Sequence, residues 1–220
     1  KERIVQAHEQ AAEFYHLQLM RSKETGPAQA RAYLGKRGFG TGPSKSWGLG
    51  YAPGRSALVT YLNSKGFTRD EILQANLGVV SKRSGRLADR FFDRIMFPIR
   101  DLQGRCIAFG GRVLGTGEPK YLNTGDTPVF NKSNNLFGID KAKGAMVSDS
   151  VAVVVEGYTD VIALHEAGVR YAVATLGTAL TAQHVKLLSR FAKTIVYLFD
   201  GDAAGQRAAM RASEFIDWSS

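Results

Sequence analysis

Val151-Ala152-Val153-Val154-Val155-Glu156-Gly157-Tyr158-Thr159-Asp160 is the stretch that decides the fold. Five consecutive apolar residues have strand length, and a strand apolar on both faces needs cover on both. The run stops at a glutamate, turns at a glycine and enters a helical pattern with an aspartate in its first turn. Outward from it, strands are expected at 151–155, 171–175 and 194–199, and helices at 159–167, 181–191 and 203–216. Such alternation predicts an α/β unit, a parallel sheet flanked by helices. The strand Ile195-Val196-Tyr197-Leu198-Phe199 runs into Asp200-Gly201-Asp202. Parallel strands deliver Glu156, Asp160, Asp200 and Asp202 to one sheet edge, the carboxyl edge at which open α/β sheets bind ligands.

Two like charges ~4 Å apart repel by about 4 kcal/mol at an effective dielectric near 20, so clustered carboxylates need protons or a cation. Oxygen ligands without cysteine or histidine favour Mg²⁺ or Mn²⁺ over zinc. Such ions activate an attacking 3′-hydroxyl and stabilise a pyrophosphate leaving group. A second reading remains for each motif alone: Asp-Gly is a common turn pair, and Asp160 suits a helix N-terminus by its charge. Together, at the ends of two strands, they favour the metal. Between them, Ala174-Thr175-Leu176-Gly177-Thr178-Ala179 leads a strand through glycine to a helix start, where backbone amides cradle phosphate.

The N-terminal part follows a different pattern. Ile4, Ala11, Tyr15 and Leu19 make a helical stripe over residues 3–20. Gly26-Pro27 is a break, Ala28–Arg37 a helix ending at Gly38, and Gly38–Ser46 a surface loop. Thr68 with Glu71 matches a capping box for a helix over Arg69–Ala75. Arg94 to Ile99 and Cys106 to Gly110, joined by Asp101-Leu102-Gln103-Gly104, read as a β-hairpin whose Pro98 calls for an edge strand or a bulge. Two domains follow: a mixed α+β subdomain over 1–145 and the α/β unit over 146–220.

Of the net charge of +9, residues 1–112 hold 19 Lys/Arg against 9 Asp/Glu, while residues 113–220 hold 10 against 11. The basic part suits a polyanion, although surface cations also serve solubility. One cysteine, Cys106, excludes an internal disulfide, and the four histidines lack zinc-ligand spacing. A reducing, cytoplasmic setting is expected, and no apolar run reaches the ~20 residues of a membrane span. A chain opening on Lys1-Glu2-Arg3-Ile4 reads as a piece of something longer.

Glu156-Gly157-Tyr158-Thr159-Asp160, then Leu176-Gly177-Thr178, then Asp200-Gly201-Asp202-Ala203-Ala204-Gly205 resemble the toprim module of primases, topoisomerases and some nucleases. Upstream, Tyr33-Leu34-Gly35-Lys36-Arg37-Gly38-Phe39, Arg94-Ile95-Met96-Phe97-Pro98-Ile99-Arg100-Asp101, Phe109-Gly110-Gly111-Arg112, Pro119-Lys120-Tyr121-Leu122-Asn123-Thr124 and Phe137-Gly138 stand in the order of bacterial DnaG-type primases. The resemblance spans nearly the whole chain. It implies a toprim fold, Rossmann-like, and a magnesium-dependent enzyme that makes RNA primers on single-stranded DNA from nucleoside triphosphates. Glu156, Asp200 and Asp202 would be catalytic and, with Asp160, metal-binding. Arg37, Arg90, Arg112, Lys120, Tyr121, Asn123, Lys132, Gly157, Gly177 and Thr178 would bind template and nucleotide. Lys120-Tyr121 pairs a cation for phosphate with a ring on which a base stacks, although Tyr121 also reads as strand core and the cations as solvated.

The family expects a further acidic stretch after Ser220, often has arginine where Phe92 stands, and meets helicase and single-strand-binding protein through other parts. It puts no zinc in this portion. A topoisomerase would need a tyrosine nucleophile in another domain, and a toprim nuclease would lack Pro-Lys-Tyr-Leu-Asn and Met-Phe-Pro-Ile. A non-catalytic nucleic-acid-binding module is the other class considered.

Overall fold

In the computed structural model, residues 1–199 are described. Asp200, Asp202 and the helix expected at 203–216 lie outside the described residues. The expected opening helix is α1 (Glu2–Arg21), with Ile4, Ala11, Tyr15 and Leu19 buried along one stripe. In α2 (Thr25–Lys36) the Gly26-Pro27 pair is the first turn rather than a break before it. Proline is tolerated there because first-turn amides have no helical partner.

The surface loop expected over 38–46 is corrected: it contains α3 (Thr41–Ser46), pinned by buried Phe39, Ser44 and Trp47. Its glycine and proline hid the helix, and burial of the flanking aromatics holds it. After β1 (Gly50–Ala52) comes α4 (Ala57–Ser64), whose N-cap Ser56 makes no side-chain cap bond. Distant Asp89 replaces it, accepting the amides of Leu58 at 3.2 Å and Val59 at 3.0 Å. Helix α5 (Arg69–Gln74) has the expected capping box, with Thr68 and Glu71 exchanging bonds of 3.2 and 2.9 Å.

Strands β2 (Gly78–Val80) and β3 (Leu87–Asp89) form an antiparallel pair. The hairpin is β4 (Arg94–Arg100) and β5 (Cys106–Val113), joined by β6 (Tyr121–Asn123) in a sheet of order β1-β4-β5-β6. Strand β4 is thus interior, correcting the edge expectation. Strand β1 covers only Arg94–Met96, so its pairing has run out before Pro98. Tyr15, Phe91, Met96 and Phe109 centre the core beneath.

The second unit holds α6 (Ile139–Asp149), β7 (Val151–Val155), α7 (Tyr158–Glu166), β8 (Ala172–Ala174), α8 (Ala182–Leu188) and β9 (Thr194–Tyr197). Its sheet is parallel with order β8-β7-β9, as the alternation predicts. Phe137 and Ala174 exchange backbone bonds of 2.9 and 3.1 Å at the outer side of β8.

By contacts the first unit comprises residues 1–99 and 105–130, and the second comprises 100–104 and the chain from Asn131. The expected boundary at 145/146 falls inside α6, whose Ile139, Ala142 and Met146 are buried in the second core with Val154, Val173 and Leu188. Among the described residues no helix is long and apolar enough to cross a membrane.

Candidate functional site

Alternation along β7 puts Val154 and Glu156 on the same face. Val154 pairs with Tyr197 of β9, and Glu156, two residues on, lies near enough for its carboxylate to act on the Tyr197 phenol. Burial, and then the charge of Glu156, hold the phenol above its ordinary range, so Tyr197 stays a neutral donor. Glu156 itself is exposed at the strand end.

Gly157 is the N-cap of α7. A Cβ there would meet Asp160 Oδ2 at 2.8 Å, so the Asp160 carboxylate is folded back over the bare α-carbon. A side chain at 157 would push that carboxylate aside, and its charge sits where the α7 dipole favours it. Glu156 and Asp160 thus share the carboxyl edge of the sheet. Among the described residues there is no group of three or more His, Cys, Asp or Glu able to hold a metal.

Gly177, with a φ of +69°, and Thr178 do not open a helix. Residues 175–181 form a loop, and α8 starts at Ala182 under the cap of Thr181, which accepts the His184 amide at 3.1 Å. His184 Nδ1 accepts the Thr181 amide at 3.1 Å, so its Nε2–H donates to Lys132 O at 2.9 Å and Asn135 O at 3.1 Å. Thr181 adds a bond to Ser133 O at 2.7 Å. Lys132 therefore stands on a loop stapled to the cap of α8. Burial lowers the His184 pKa and keeps the ring neutral, as this bonding needs.

In the first unit Tyr33, on α2, gathers two candidate cations. The guanidinium of Arg37 lies 4.9 Å and that of Arg112 4.3 Å from its ring centre. Arg112 donates to Val113 O at 2.6 Å, while its Nε and the Tyr33 hydroxyl are buried without a partner. Arg112 is paired across the β5–β6 ladder with Tyr121, which is 39 % exposed and so not strand core. The Lys120 ammonium lies 6.0 Å from the Tyr121 ring.

Arg90 donates to Asn123 O at 2.7 Å, and buried Arg94 donates to Gly111 O at 3.1 Å. These two brace the strands from behind. Burial lowers both guanidinium pKa values, with Arg94 adding to the effect on Arg90. Phe92 is 65 % exposed.

The model of the DNA primase catalytic core, N-terminal domain, matches residues 14–143, and that of the toprim domain matches residues 150–218. The chain belongs to the DnaG-type DNA primases. A DNA primase of Streptomyces coelicolor is 46 % identical over 222 residues, covering 96 % of this chain and 34 % of that protein. The chain thus spans about a third of the length of the curated primases it matches. The RNA polymerase domain of the Mycobacterium tuberculosis primase DnaG superposes with a TM-score of 0.89 at 39 % identity, over 97 % of this chain and 71 % of that one. A DnaG primase catalytic domain bound to single-stranded DNA gives 0.88 at 38 % identity, over 97 % and 66 %. The primase fold, toprim unit included, is therefore as the sequence motifs imply.

Four residues at these places escaped the reading of the sequence: Tyr33, Arg94, Tyr197 and His184. Tyr33 stands four positions before Arg37 on one helix, a spacing that makes neighbours. Thr181 and His184 have capping-box spacing with histidine in place of the usual acid or amide. Tyr197 carries no such signal, because only strand pairing brings it to Glu156.

Proposed function

We propose that this chain is the RNA-polymerising core of a bacterial primase, which extends short RNA primers on single-stranded DNA during replication. The observation that carries this reading is Glu156 at the carboxyl end of β7 beside Tyr197 of β9. Strand β9 runs parallel to β7, and the sequence after it continues to Asp200-Gly201-Asp202.

In nucleotidyl transfer a ribose 3′-hydroxyl oxygen attacks the α-phosphorus of a nucleoside triphosphate. The new O–P bond forms as the bond to the β-phosphate oxygen breaks, and pyrophosphate leaves. Glu156, Asp160, Asp200 and Asp202 would hold Mg²⁺ or Mn²⁺, and the donor set fits: an exposed strand-end carboxylate and one folded over a glycine, all oxygen. When bound, such an ion neutralises triphosphate charge and lowers the pKa of the attacking hydroxyl.

This chain's own residues do the rest. Tyr197 orients the Glu156 carboxylate. Arg37, Arg112, Lys120 and Lys132 take phosphates of template and nucleotide, and Tyr121 offers a face for a base. Arg90, through Asn123 O, fixes the strand carrying Tyr121. Gly177 and Thr178 offer loop amides to phosphate. The setting is cytoplasmic, with helicase and single-strand-binding protein as further partners at the replication fork.

Primer synthesis on single-stranded template with Mg²⁺ or Mn²⁺ tests the reading, in protein carrying the downstream residues of its relatives. Glu156→Gln is expected to lower synthesis at least 100-fold while melting and DNA affinity stay as in the parent. Full synthesis by that variant would remove Glu156 from the active centre.

A further inference from the structure

We infer that Tyr33 is the positioning residue of a phosphate clamp, its ring holding the guanidiniums of Arg37 and Arg112 in place to grip one stretch of backbone. Arg37 is the C-cap of α2 and Arg112 lies on β5, 75 positions on. They meet at one shared ring. Like charges gathered at one side chain repel, and among the described residues neither has a carboxylate in ion-pair range. The flat ring offsets part of that repulsion through its negative face, at 4.9 and 4.3 Å.

Two donors at the same ring have no protein partner, the buried Arg112 Nε and the buried Tyr33 hydroxyl. Buried donors are rarely left so. A phosphate supplies the missing negative charge to exposed Arg37 and partly exposed Arg112, and guanidinium planes match its oxygens in a two-pronged geometry. The inference rests on the proposed function only for the identity of that phosphate, as template or nucleotide backbone.

The test compares Tyr33→Leu, which keeps apolar bulk without a ring, with Tyr33→Phe, which keeps the ring without the hydroxyl. Each is titrated in the intact protein with a single-stranded DNA dodecamer across a range of salt, and separately with inorganic triphosphate. Loss of two stacked contacts is expected to weaken DNA binding of Tyr33→Leu about ten-fold. The log–log salt slope should become shallower by about 0.7 to 1.4, the share of one or two phosphates on single strands. Tyr33→Phe should keep the parental slope.

A parental slope in Tyr33→Leu, or equal loss in both variants, overturns the positioning role while leaving template binding intact. If the parent binds triphosphate but not DNA, and Tyr33→Leu weakens the triphosphate, the clamp stands and the template assignment falls. Binding of neither anion by the parent overturns the clamp.

Discussion

Two single residues separate chemistry from support. Tyr197 lies beside Glu156 while its ring packs on the second core, so Tyr197→Phe, which keeps the ring, should leave the fold and DNA affinity unchanged. Losing a donor that orients a reacting carboxylate is expected to slow single-turnover primer extension about ten-fold, and an unchanged rate would take Tyr197 out of the site. Asp89 works the other way. Burial raises its pKa, against the pull of the α4 amides it accepts, so its charge is a burden while its oxygens are needed. Asp89→Asn keeps one acceptor and turns an NH2 donor toward the other amide, so it should lower the urea midpoint, though less than the alanine variant. Asp89→Ala should cost about 1–3 kcal/mol, because it leaves buried amides without acceptors.

At the scale of elements, α8 shows how a helix cap can carry a loop. Thr181→Ala removes one bond to the helix and one to Ser133 O, and should cost about 1 kcal/mol in chemical denaturation. The histidines give this packing a pH dependence of definite sign. In the folded chain the His184 pKa is lowered, and that of His8, buried in α1 against Phe109, falls from 6.5 to about 4 through burial. The unfolded chain then binds more protons below pH 6.5, so their contribution is whole above that pH and is lost as pH falls towards 4. Denaturation midpoints should decline over that window. His8→Leu should flatten the decline, and an equally steep one would place the acid sensitivity elsewhere.

Across the whole molecule the decisive quantity is charge. The basic excess lies in residues 1–112, yet Arg90 and Arg94 there spend their guanidiniums on backbone carbonyls. The proposed function gives phosphate to Arg37, Arg112, Lys120 and Lys132, far fewer cations than the chain carries. Four such contacts predict a slope near −3 in log affinity against log salt for single-stranded DNA. Anisotropy titrations check it, and a slope near −10 would mean that the whole basic surface binds without selection.

How much of this was legible in the sequence follows from the range of the forces involved. Strand and helix order, the capping box at Thr68, the parallel sheet and the strand-end position of Glu156 are local matters, set by hydrophobic period, glycine turns and short-range hydrogen bonds. The order of the primase motifs identified the family for the same reason, since motifs are strings. The sequence alone determined that α/β architecture and the acids Glu156 and Asp160 at its carboxyl edge. Tertiary structure alone decided that Tyr197 lies beside Glu156, that Arg37 and Arg112 meet at Tyr33, that His184 fixes the Lys132 loop, and that α3 forms in what reads as a loop. Each of these depends on side chains far apart in the chain meeting in a packed interior, and no local period encodes such a meeting.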